Sequence, residues 1–276
     1  MVHRLGVILG AAHIGPTVVV TLVTATLAAV SGLDPARVAL VGIMMLANQL
    51  SIGWSNDAID SRRDIESARA DKPVVRGDIS ARSLMTLALI SALVAVAVSL
   101  ALGPALVLVH LIALASGWAY NAGLKRTVAA TACYVVSFGL LPVIVTLSRE
   151  DPRPAAWWAI AMGALLGLAA HFANVLPDLD EDRRHGIRSL PHLLGARPAG
   201  AVALSALALV GVLGVVGPDA IAPLSLVGAI ATCALLVAGV VVLVRAPESR
   251  ALFRIIMAAA FAAVVTLAGA AGSIAA

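Results

Sequence analysis

The chain reads as long apolar runs separated by short charged segments. Runs of about 17–25 residues are long enough to cross a bilayer as helices. Nine of them fall near 11–32, 38–56, 82–102, 104–121, 128–148, 155–176, 198–216, 221–244 and 252–275. The fifth is the most interrupted, with Ser137, Gly139 and Pro142 inside it. The first run exceeds the ~7–15-residue apolar stretch of a secretory signal and is expected to stay as a span. The pattern predicts an all-α, polytopic membrane protein with nine transmembrane helices. Residues 1–276 form one transmembrane domain without a linker or soluble module.

Composition agrees. Hydrophobic residues make up 61% of the chain and charged residues 12%, with a mean hydropathy of +1.01; soluble domains do not combine these values. Charge placement then orients the spans. With the N-terminus inside and nine spans alternating, sixteen of the nineteen Lys and Arg residues fall on the cytoplasmic side, as the positive-inside rule requires. Arg37, Arg149 and Arg153 stay outside. The expected location is the cell membrane, with the N-terminus cytoplasmic. The net charge of +4 suits loops facing anionic lipid and gives no reason to expect nucleic acid. Cys133 and Cys233 lie inside spans and suggest no disulfide framework.

Against this background one polar pattern stands out. Asn-x3-Asp-x3-Asp occurs twice, as Asn56, Asp60, Asp64 and as Asn174, Asp178, Asp182, each time where an apolar run gives way to a charged loop. The charge count places both motifs, 56–64 and 174–182, on the cytoplasmic side. On an α-helix, positions i, i+4 and i+8 advance about 12 Å and drift only about 80° around the axis. Each motif therefore makes a ladder of oxygen ligands on one face, although Pro177 is positioned to kink or end the second helix. Asp57, Asp180 and Glu181 should point away from the ladders, with Asp57 solvated or behind the ligands. All-oxygen ligands select a hard cation, and Mg2+ commonly completes its shell with phosphate oxygens. The expectation is Mg2+ on Asn56, Asp60, Asp64, Asn174, Asp178 and Asp182, with a diphosphate bridged between the ladders. The two Asn lie 118 residues apart, which suggests two half-bundles each supplying half a site.

Other residues gather around the motifs. Lys72, Arg76, Lys125, Arg126, Arg183, Arg184 and Arg188 share their side of the membrane, with Lys125 and Arg188 the strongest candidates for diphosphate oxygens. Arg245, Arg250 and Arg254 read as topogenic. His171 falls on the face of Asn174 about one turn earlier, and Asn48 lies on the face of Asn56. Trp54, Trp118, Tyr120, Tyr134, Phe138 and Phe172 are candidate walls of a cavity that could stabilise a carbocation. Trp157 and Trp158 read as interfacial anchors. His13 and His110 read as buried and hydrogen-bonded.

These motifs resemble the UbiA superfamily of intramembrane prenyltransferases over nearly the whole chain. NDAIDSRRD looks like the family's first Asp-rich motif, DLDEDRRHGIRSLPHLLG like its second with the trailing segment, and YNAGLKRT like its Tyr/Lys stretch. The resemblance implies nine helices around a central cavity with a cytoplasmic cap. It also implies an isoprenoid diphosphate donor, Mg2+ as cofactor, a small-molecule acceptor and a tail lying toward the lipid bilayer. Asp60, Asp64, Asp178 and Asp182 would be catalytic, and Asn56, Lys72, Arg76, Tyr120, Lys125, His171, Asn174 and Arg188 would contact substrate. The chain departs from the family in carrying Lys72-Pro73 after the first motif and AAHIGPT in the first helix.

The leading expectation is Mg2+-dependent prenyl transfer to an aromatic or quinone-precursor acceptor. A membrane terpene cyclase would use the same ionisation without an acceptor. A cation-coupled transporter is the reading from another class, but such proteins usually hold their ligands near the midplane, not at one interface.

Overall fold

The computed structural model describes residues 2–67, 69, 72–179, 182 and 186–276, with the backbone alone of residues 2–5. Among the described residues the chain is helical, and its only extended pairing is an isolated bridge between Ala155 and Ala275. The helices are α1 (Val2–Gly10), α2 (Ile14–Val30), α3 (Pro35–Glu66), α4 (Ala81–Leu102), α5 (Pro104–Ala122), α6 (Ala130–Leu147), α7 (Trp157–Val175), α8 (Leu190–Leu194), α9 (Ala196–Val216), α10 (Pro223–Arg245) and α11 (Arg250–Gly269). Eight are long and apolar enough to span a membrane, and α2 is a shorter apolar helix of 17 residues. Each of the nine expected spans thus corresponds to one apolar helix.

Helix boundaries follow local chemistry. Asp34 caps α3 by accepting from the backbone N–H of Ala36 and Arg37 at 2.9 and 3.0 Å, with Pro35 at the first helical position, where its missing N–H is not needed. Ser80 caps α4 by accepting from Ser83 N–H at 3.1 Å. The first apolar run was expected to be helical from residue 11, but a turn at Ala11–His13 separates α1 from α2. Pro16 explains the break, because it has no N–H to donate to the Ala12 carbonyl. The Thr17 hydroxyl makes that contact instead, at 2.8 Å, and His13 adopts a left-handed φ of 49°.

The second expected span ends at 56, yet α3 continues to Glu66 for 32 residues. Its polar end is stitched by Arg63 to Asp60 (i, i+3) and Arg62 to Glu66 (i, i+4), both at 3.0 Å. The interrupted fifth run is a single helix, α6, with Pro142 inside it.

The chain divides into two compact units, one of residues 1–29 and 33–122, the other of residues 30–32 and 123–276. In the first, Ala11, Ala12, Trp54, Ala58, Leu84 and Ala88 form a buried cluster against which Leu50, Val74 and Trp118 pack. A polar seam joins α3 to α5. Asn48 meets His110 at 3.0 Å, Trp118 donates to the Ser51 hydroxyl at 3.0 Å, and Asn121 donates to Ile52 O and Ser55 Oγ at 2.8 and 2.9 Å. Such bonds hold helices together where no water competes. Asn48 and His110 are both buried, so Asn48 is occupied by His110, as the buried, bonded reading of that histidine implied.

In the second unit α7 packs closely on α6. A Cβ at Gly167 would strike the Tyr134 carbonyl, and small residues permit this approach between membrane helices. Of the two tryptophans expected as interfacial anchors, Trp158 does not fit that role. Trp157 is exposed, whereas Trp158 is buried and packs where Gly217 leaves room. Consecutive helical residues point about 100° apart, and here one faces outward and the other inward.

Candidate functional site

The first ladder lies on unbroken helix. Asn56, Asp60 and Asp64 all belong to α3, and the side chains of Asp60 and Asp64 are 7% and 4% exposed. Buried carboxylates need countercharge. Arg63 supplies it, with one guanidinium nitrogen 3.0 Å from Asp60 and 3.6 Å from Asp64.

Asp57, expected to be solvated or behind the ligands, is buried at 2% exposure and anchors a second cluster beside the ladder. Its Oδ1 accepts from Lys72 Nζ at 2.6 Å and lies 3.0 Å from His13 Nε2. Lys72 Nζ is 3.3 Å from that same His13 nitrogen, which is also 3.3 Å from Asn56 Nδ2. His13 is therefore hydrogen-bonded as expected, but its side chain is 42% exposed, not buried. Gly53 makes this arrangement possible, since a Cβ there would collide with the Ala12 carbonyl. The missing side chain lets the α1–α2 turn press on α3 and carries His13 to the level of Asn56. Trp54 reinforces the contact by donating to Ile8 O at 2.9 Å.

The second ladder is built differently. α7 ends at Val175, and Leu176–Asp178 form a 3-10 turn around Pro177. Asn174 and Asp178 are exposed and Asp182 is partly buried. The three residues thus do not repeat the continuous helical face of the first motif, because Pro177 cannot carry the α-helical bonding onward. Asp180, Glu181, Arg183 and Arg184 lie outside the described residues.

His171 is buried one turn before Asn174, with its ring 4.9 Å from Tyr134 and 6.0 Å from Phe172. Tyr134 in turn stacks on Phe138 at 6.2 Å, so four of the singled-out rings form one group. Neither ring nitrogen of His171 has a hydrogen-bond partner among the described residues.

The structure also joins the two segments that carry the strongest basic candidates. Lys125 sits in a 3-10 turn, Leu124–Arg126, and Arg188 N–H donates to the Arg126 carbonyl at 3.2 Å. Arg76 pairs with Asp78 at 2.8 Å, and Tyr120 is half-buried on α5.

Sequence reasoning did not give His13, Asp57 or Arg63 their places in these clusters, nor set His192 at 3.1 Å from Asp182. The signals were present in AAHIGPT, NDAIDSRRD and SLPHLLG, but each depends on a contact that spacing alone does not disclose. Among the described residues, no three His, Cys, Asp or Glu side chains gather as a ready-made metal cage. The donor chemistry fits Mg2+ nonetheless, since the ladders offer carboxylate and amide oxygens, and this ion usually takes few protein ligands and completes its shell with waters and phosphate oxygens.

The long apolar helices define an integral membrane protein, and the two Asn/Asp motifs set it apart within that class. The chain belongs to the UbiA prenyltransferase family, whose model matches residues 17–265. Solved structures agree in fold. A digeranylgeranylglyceryl phosphate synthase structure matches with a TM-score of 0.76 at 12% identity, covering 98% of this chain and 99% of that one. A UbiA homolog from Aeropyrum pernix K1, in its apo form, gives 0.72 at 20% identity, covering 88% and 94%. A UbiA homolog from Archaeoglobus fulgidus, bound to GPP and Mg2+, gives 0.69 at 14% identity, covering 97% and 99%. No curated protein sequence matches the chain.

Proposed function

We propose that this protein transfers a prenyl group from an isoprenoid diphosphate to a small-molecule acceptor within the membrane, with an aromatic or quinone-precursor ring as the leading acceptor class. The observation that carries the reading is the first ladder: two buried carboxylates and an amide on one face of a continuous helix, within a chain of the UbiA prenyltransferase family. The Archaeoglobus fulgidus homolog, solved with GPP or DMAPP together with Mg2+, supports the donor class and the cofactor.

The reaction asks for few covalent steps. The allylic C–O bond breaks, its electron pair leaves with the diphosphate, and a nucleophilic atom of the acceptor bonds to the resulting carbocation and loses a proton. Bound Mg2+ supplies positive charge that offsets the charge developing on the leaving oxygen. Asn56, Asp60, Asp64, Asn174, Asp178 and Asp182 would hold it. Lys72, Arg76, Lys125 and Arg188 would add fixed positive charge toward the remaining diphosphate oxygens. The Tyr134, Phe138, His171 and Phe172 rings would line the dry part of the site, excluding water from the cation.

Purified protein given Mg2+, geranyl diphosphate and candidate acceptors should release diphosphate only with the correct acceptor. Asp60→Ala and Asp178→Ala should each abolish release; full turnover in both would remove the site assignment. A cyclic hydrocarbon formed from the donor alone would instead make the protein a cyclase.

A further inference from the structure

Asp182, the last rung of the second ladder, is held by a hydrogen-bonded chain that the reaction itself does not call for. His192 Nε2 lies 3.1 Å from Asp182 Oδ2, and the opposite ring nitrogen, Nδ1, lies 2.7 Å from Ser189 Oγ. His192 and Ser189 are buried, at 5% and 1% exposure, while the Asp182 side chain remains 30% exposed. A neutral ring protonated at Nε2 satisfies both neighbours, donating to the carboxylate and accepting from the serine hydroxyl. The backbone is fixed as well. Ile187 N–H donates to the Asp182 carbonyl at 3.1 Å across Gly186, whose φ of 75° suits glycine. Ser189 stands at the N-terminal boundary of α8, so the relay ends where a helix begins.

We infer that His192 is a positioning residue for Asp182, with Ser189 fixing the orientation of its ring; this rests on the proposed role of Asp182 as a metal ligand. The reasoning is geometric. One carboxylate oxygen is taken by a buried donor, which locks the rotamer of the side chain and leaves the other oxygen for a cation. The loss of α-helix at Pro177 makes the device necessary here. On α3 one helix carries all three rungs and Arg63 bridges Asp60 and Asp64, whereas a 3-10 turn at Leu176–Asp178 interrupts the second motif before its last rung. Partners that orient metal-binding groups in this way commonly change metal affinity about 10–100-fold when removed.

The test measures binding, not turnover. The full-length protein in detergent is titrated with Mn2+, as a spectroscopic stand-in for Mg2+, in the presence of inorganic diphosphate, with free Mn2+ read by electron paramagnetic resonance. His192→Leu should weaken Mn2+ binding by about 10–100-fold in protein that circular dichroism shows to be folded. His192→Gln, whose amide can still donate toward Asp182, should recover most of the affinity. Ser189→Ala leaves the ring in place but frees its far side, and should produce a smaller loss in the same direction. This variant keeps the inference testable if His192→Leu does not fold. Wild-type affinity in Ser189→Ala and in folded His192→Leu, alongside lost affinity in Asp182→Asn, overturns the positioning role and leaves the ladder reading intact. Wild-type affinity in Asp182→Asn removes the role of Asp182 and the inference with it.

Discussion

Lys72 Nζ and Asp57 Oδ1 are 2.6 Å apart, and both side chains are withdrawn from solvent, at 14% and 2% exposure. The lysine that follows the first ladder is thus tied back to the helix that carries it. Removing one partner of a buried pair strands the other charge at a cost of roughly 3–5 kcal/mol. Asp57→Ala should therefore lower the thermal stability of the detergent-solubilised protein sharply, and Lys72→Met should do so less, because Asp57 then keeps His13 at 3.0 Å. The double variant should recover part of the loss, because neither charge is then left alone. Equal destabilisation in the single and double variants would argue against the pair.

Gly53→Ala should be far more damaging than a methyl group on an ordinary helix surface. The new Cβ meets the Ala12 backbone rather than a movable side chain, and overpacking of this kind costs on the order of 1–3 kcal/mol. His13 should be displaced with the turn. The expected readouts are a lower melting temperature and reduced diphosphate release. A variant indistinguishable from wild type would remove the close approach as a requirement.

Asn121→Ala removes two hydrogen bonds from the α3–α5 seam, yet the loss should be modest. Bonds between membrane helices average about 0.6 kcal/mol and reach roughly 1.7 kcal/mol. Reversible unfolding in mixed micelles should place this variant well above Asp57→Ala in stability. The reverse order would mean that the seam, and not the Lys72–Asp57 pair, dominates the first unit.

His171→Phe should move stability and activity in opposite directions. Burying a ring nitrogen without a partner costs about 1–3 kcal/mol, and phenylalanine removes both nitrogens while keeping an aromatic contact with Tyr134. The variant should melt at the same or a higher temperature and turn over more slowly. Unimpaired turnover would take His171 out of the substrate-contacting set.

Much of this was legible from one dimension. Apolar run length located the eight span-length helices and the shorter α2 among the described residues, and the four-residue spacing of Asn56, Asp60 and Asp64 was enough to put them on one face of a helix. Pro177 announced the break in the second motif for a local reason, its missing N–H. What stayed hidden was long-range. The burial of Asp57 depends on His13, 44 positions away, which reaches it only because Pro16 interrupts the first apolar run and Gly53 yields space to the turn. The pairing of His192 with Asp182 joins side chains ten positions apart, on either side of the left-handed Gly186. Trp158 was misjudged because its neighbour Trp157 shares its chemistry but not its face.

The unbroken length of α3 bears on how a substrate could be loaded. Thirty-two residues rise about 48 Å, well beyond a hydrocarbon core of about 30 Å. On the proposed reading, the rod that crosses the lipid would carry its carboxylates to the level where oil gives way to water. A prenyl diphosphate is an amphiphile with that same division, a greasy tail below a charged head. Under the proposed function it would meet the ladder in the posture it already holds among the lipids, and its tail would not need to be drawn out of the bilayer before the bond is broken.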